Sequence, residues 1–207
     1  MDLKRAIIEN DVEAVEKILK KELADQPRDK GLWIKLCLTE LQFPFEDHES
    51  ALACINEINR FSDNDIDVLI LEAGIKWHNM GFIDDGLFMR LSKVKTKNMS
   101  QMAIIFYLGS LYFHSKRDLK SEGSILRRSV EMYDKYVYPY KALGDIVRTN
   151  SKNEGSRSYY QKALANVQKI YQDDDLYDFT DIDTYIAEYI TGTAISQANY
   201  ESIKDLI

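Results

Sequence analysis

Three aspartates alternate at Asp63, Asp65 and Asp67. Alternating carboxylates begin a loop that wraps calcium, an ion held by hard oxygen ligands. Such a loop also needs a glycine at its sixth position and a bidentate glutamate at its twelfth. Those places hold Val68 and Gly74, so the triplet reads as capping carboxylates ahead of a helix. A second acidic set comprises Asp173, Asp174, Asp175, Asp178, Asp181 and Asp183. It occupies a connection longer than compact helical arrays usually contain. It suits a basic protein surface, a metal ion or simple solvation. His48, His78 and His114 are not spaced with one another or with cysteine as a zinc site requires. Cys37 and Cys54 form no C-x-x-C pair. They read as small buried thiols of a reducing compartment, with a disulfide between facing helices as the lesser alternative. No G-x-S-x-G, phosphate-binding loop or glycine-rich dinucleotide turn occurs. The expectation is no enzyme, no cofactor and no metal.

The elements that carry these residues are helical by composition. The 207-residue chain holds only 9 Gly and 3 Pro, against 13 Tyr and 8 Phe. Few turn formers and many aromatics fit helices joined by short loops with ring knobs between them. The net charge of -7 argues against nucleic acid and anionic membrane as partners and suits a basic one. The start, M-D-L-K-R-A-I-I, has no apolar run of signal-peptide type, and no stretch reaches membrane-span length. A soluble cytoplasmic protein is the expectation.

Hydrophobic residues recur at helical spacing throughout, as in Val12, Val15, Leu19 and Leu23 or Ala51, Ile55 and Ile58. Above that local period lies a longer one. Trp33, Leu36 and Glu40 are followed 35 residues on by Val68, Leu71 and Ile75. Ile105, Leu108 and Tyr112 follow after 37 more, and Tyr140, Leu143 and Val147 after another 35. A period of this length means stacked helix pairs. One domain, 1–207, is expected, with units near 2–25, 32–60, 65–95, 102–135 and 138–171 and capping helices over 180–207.

The best-formed units run F-Y-L-G-S-L-Y, Phe106 to Tyr112, and Y-K-A-L-G-D-I-V, Tyr140 to Val147. The second continues to Ser156, Tyr160 and Ala163. This pattern resembles the tetratricopeptide repeat, whose unit sets an aromatic residue, Leu-Gly and a further large residue on a first helix. Earlier units fit more loosely, with Cys37 and Glu72 at the glycine position. The resemblance implies an all-α, right-handed superhelix of antiparallel helix pairs, about 10–12 helices in all. It also implies a non-catalytic scaffold whose concave groove is lined by first helices. By position that groove would include Lys76 and Trp77, then Phe106, Ser110, Phe113 and His114, then Tyr138, Lys141, Asp145 and Arg148. Leu38, Leu41, Leu69 and Ala73 fall on it too. The Lys/Asn clamp for C-terminal carboxylates is absent.

Two functions follow as expectations. The first is an acidic inhibitor, such as a bacterial immunity protein, occluding a basic toxin or nuclease. Binding would then fall on the groove or on Asp173, Asp174, Asp175 and Asp178. The second is an adaptor that holds a peptide in the groove.

Overall fold

A computed structural model describes residues 1–150, 155–170 and 197–207, with Thr180 and Ile182. The described residues form eleven helices and no strand. In order these are α1 Leu3–Ile8, α2 Val12–Asp25, α3 Lys30–Glu40, α4 His48–Asn59 and α5 Ile66–Met80. Then come α6 Asp85–Lys93, α7 Met99–Ser115, α8 Leu119–Met132, α9 Tyr138–Asn150, α10 Ser156–Ile170 and α11 Gln197–Lys204. Within the expected repeats, α1 packs on α2, α3 on α4, α7 on α8 and α9 on α10.

The starts of the helices show where many acids go. Asp2, Asp11, Asp29, Asp47, Asp84 and Asp118 are N-caps, each accepting a backbone N–H of the first turn. Asn98 does the same for α7. Asp65 accepts from the N–H groups of Asp67 and Val68 at 3.1 and 3.4 Å, so the calcium-like triplet caps a helix as expected. Each cap contributes about 1 kcal/mol, and its charge suits the positive helix end. Backbone and hydroxyl donation from Ser50 holds the Asp47 carboxyl below its ordinary range.

The helices fall into two compact units. In the first, α1 to α4 pack each on the next. Its core includes Val15, Leu19, Leu36, Ile55 and Ile58, all buried. The Val68–Ile75 run of α5 is buried residue by residue, as in a helix covered on every side. Cys37 and Cys54 are free thiols inside this unit. Lys30 ties the first turn of α3 to Asp65 at 2.9 Å.

In the second unit α7 packs against both α6 and α8, and the order continues α8, α9, α10, α11. Val137, Ala163, Val167 and Ile203 form a buried cluster that brings α11 onto this end. Three polar contacts set the register. Ser129 Oγ on α8 donates to the Ala103 carbonyl of α7 at 2.7 Å. Asn166 Nδ2 on α10 donates to the carbonyls of Asp134 and Tyr136 at 2.9 and 3.3 Å. Tyr160 lies so close to Gly144 that a Cβ there would stand 2.5 Å from its ring. The equivalent Gly109 has only Phe88 at 3.8 Å. Close helix approach therefore requires glycine at one of the two Leu-Gly steps, not at both.

Candidate functional site

The predicted groove residues divide by depth. Leu38, Leu41, Leu69, Ala73 and Ser110 are buried and present nothing to a ligand. This corrects the placement that the resemblance implied. In the first unit Lys76 is half-buried and pairs with buried Glu72 at 3.0 Å, one turn back; Trp77 beside it is half-buried. In the second unit Phe106 and Phe113 are both on α7 and half-buried. Phe113 meets Phe88 edge-on at 5.2 Å, and Phe88 stacks on Tyr112 at 4.0 Å. Tyr138 stacks on Tyr107 at 5.7 Å.

Tyr138, Lys141, Asp145 and Arg148 follow one another along α9 at helical spacing. Asp145 is the hub of this stripe. Its Oδ2 takes Lys141 Nζ at 2.9 Å and its Oδ1 accepts the Tyr160 hydroxyl at 2.8 Å. Arg148 stands 3.9 Å away on the same carboxylate. Burial first, and then the bond to Asp145, pushes the Tyr160 hydroxyl up to about 12. Asp145, Lys141 and Arg148 thus form one partly exposed ion-pair group with one cation in excess. Lys141 and Arg148 are about one-third and one-half exposed.

A pocket of about 210 Å³ opens where α6, α7 and α8 meet. Phe88, Leu91, Met102, Ile105, Phe106 and Ile125 supply most of its apolar lining. Arg128 closes one side, its guanidinium 4.2 Å over the Phe106 ring. Neither Arg127 nor Arg128 forms an ion pair among the described residues, although Glu131 is within one turn. The sequence presents these two arginines as outer-face charges, and both are exposed. The link of Arg128 to Phe106 depends on how α8 folds back on α7, which the 35-residue period does not reveal.

Other groups with reactive potential are built into the interior. Burial raises the Cys37 thiol well above its ordinary value and carries Cys54 to about 12, so neither is a thiolate at neutral pH. His114 Nδ1 meets Glu122 Oε1 at 3.0 Å. The other carboxylate oxygen of Glu122 is buried without a hydrogen-bond partner, and burial raises its carboxyl while His114 opposes that rise. No group of three or more His, Cys, Asp or Glu residues among the described residues is placed to hold a metal ion. None of the described helices is long and apolar enough to cross a membrane. Asp173, Asp174, Asp175, Asp178, Asp181 and Asp183 lie outside the described residues.

Helix pairs with this spacing give the chain a tetratricopeptide-like helical-repeat fold. The likeness to solved structures is of the same kind. A crystal structure of MamA, a tetratricopeptide-fold protein, superposes with a TM-score of 0.63 over 82% of this chain and 97% of that one, at 14% identity. A second MamA structure gives 0.60 over 84% and 92%, also at 14% identity. The MamA RS-1 ArsTM double mutant gives 0.65 over 84% and 93%, at 13% identity. No family model and no curated protein matches the sequence.

Proposed function

We propose that this chain is a protein-interaction module, an adaptor that holds a segment of a partner protein against its helix pairs without catalysis. The observation that carries this reading is the helix-pair fold shared with MamA, which offers an extended surface for a partner. The side chains support it. The described carboxylates largely serve as caps and ion-pair partners, and the thiols are buried and protonated. What remains on the second unit is of the type that binding surfaces favour, half-exposed aromatics and arginines.

The inhibitor reading needs an acidic face for a basic enzyme. The polar residues of the α9 stripe and the pocket rim are mainly cationic, and no observation favours that alternative over the adaptor.

The test is capture with tagged chain, followed by binding measurements on the purified partner. The expected partner binds with an affinity that falls about tenfold or more in Lys141→Glu/Arg148→Glu, while helix content is unchanged. A chain that retains no protein beyond a tag-only control at physiological salt, or that turns over a small molecule as purified, refutes the adaptor reading.

A further inference from the structure

The geometry points to the α6–α7–α8 pocket as a docking site for an acidic-apolar peptide segment: one bulky apolar side chain seated inside, with an Asp or Glu beside it on Arg128. This rests on the adaptor reading and gives it a partner chemistry.

Size comes first. At about 210 Å³ the pocket is smaller than the roughly 300 Å³ at which small-molecule sites usually begin, and it has room for a single side chain. Its lining is apolar apart from the Ser92 hydroxyl and Arg128, and that hydroxyl already donates to the Met89 carbonyl at 2.9 Å. The lining extends outward. Met99 lies one helical turn before Met102 and is 52% exposed. A methionine beside an apolar lining adapts to varied apolar partners.

Charge comes second. Arg128 is exposed, braced on the Phe106 ring and without an acid partner among the described residues. A stacked guanidinium keeps its N–H edge available, and that edge matches a carboxylate in bidentate fashion. Lys93 and Lys95 flank the lining residue Val94 in sequence and are exposed. In a chain of net charge -7 this is a local reversal of sign. It selects an acidic segment and disfavours a basic one. The apolar interior distinguishes such a segment from a nucleic acid, whose phosphates would use the arginines but leave the pocket unfilled.

The test is selection of random displayed peptides on the full chain. Enriched peptides are then measured by fluorescence anisotropy against wild type, Arg128→Glu and Ser92→Trp. Both substitutions fall on exposed positions, and circular dichroism checks that the variants fold. The expected peptides pair a bulky apolar residue with Asp or Glu. Their affinity falls about tenfold or more in Arg128→Glu, less so at high salt, and also falls when Ser92→Trp obstructs the pocket. Peptides that bind both variants as well as wild type but fail on Lys141→Glu/Arg148→Glu overturn the pocket inference and leave the adaptor reading standing. Displacement of the peptides by a short single-stranded oligonucleotide that itself depends on Ser92 and Arg128 overturns the peptide assignment. A selection that enriches nothing counts against both.

Discussion

Gly109 and Gly144 occupy the same place in successive repeats, yet alanine should have opposite effects at the two. In a helix interior, replacing glycine with alanine favours folding by about 1 kcal/mol, because glycine loses more backbone freedom on folding. At Gly109 the new methyl meets only Phe88 at 3.8 Å, an ordinary contact. Gly109→Ala is therefore expected to raise the unfolding temperature by about 2–4 °C. At Gly144 the methyl stands 2.5, 2.8 and 2.9 Å from three carbons of the Tyr160 ring. That ring cannot simply move aside. It is fully buried, and its hydroxyl is held by Asp145 at 2.8 Å. Overpacking of this kind costs about 1–3 kcal/mol, which outweighs the helix-propensity gain over most of that range. Gly144→Ala is expected to lose up to about 2 kcal/mol, a fall of as much as about 8 °C in a chain of this size. Circular dichroism melts and urea titrations of the two variants read the difference. A double-mutant cycle assigns the cause: in a Tyr160→Leu background the cost of Gly144→Ala should shrink or reverse. Equal shifts of the same sign at the two glycines would refute the argument, as would a Gly144→Ala cost that persists after the ring is removed.

Three further outcomes follow from interior polar groups. Asn166→Ala leaves the carbonyls of Asp134 and Tyr136 without their donor and should cost about 1–3 kcal/mol in urea unfolding; Asn166→Asp, which also lacks the donor, should fare no better. Burial raises the Glu122 carboxyl above its ordinary value, so the native state holds that proton more tightly than the unfolded chain does. Its contribution to stability is then fully present below the ordinary glutamate range and is lost as pH rises through the raised value. Glu122→Gln removes this dependence and should gain on wild type in melts carried from acid to neutral pH; a constant difference would count against it. Cys37 and Cys54, buried with raised thiol values, should react with a disulfide reagent at neutral pH only after denaturant is added, and prompt reaction of the native chain would overturn that.

The architecture was largely legible because it is written in repetition. Leu108-Gly109 and Leu143-Gly144 mark the same step of successive units, and the structure gives each its first helix, α7 and α9. Caps were legible where an acid precedes an apolar stripe, as at Asp11 and Asp65. What repetition could not reveal is register between helices. The Asp145–Tyr160 bond spans α9 and α10, and the Phe106–Arg128 contact spans α7 and α8. Each depends on where a helix returns along its neighbour, a matter of side-chain packing. The same limit applies to Ser110, which sits at a groove position by count yet is buried.

Charge illustrates the limit most clearly. Thirty-four acids against 27 lysines and arginines suggested a basic partner. In the structure the acids do architectural work. Asp2, Asp11, Asp29, Asp47, Asp84 and Asp118 start helices. Glu40 meets Lys20 at 3.3 Å, Glu72 meets Lys76 at 3.0 Å and Asp145 meets Lys141 at 2.9 Å. A carboxylate committed to a cap or a lysine contributes to the total but little to recognition. Exposed charges are screened within about 8–10 Å at ordinary ionic strength, so a docking segment responds to the groups around its own site. At the α6–α7–α8 pocket the charged lining residue is Arg128, and exposed Lys93 and Lys95 flank the lining residue Val94 in sequence. On the docking proposal, the sign of the partner would follow Arg128, which forms no ion pair among the described residues, against the sign of the chain as a whole.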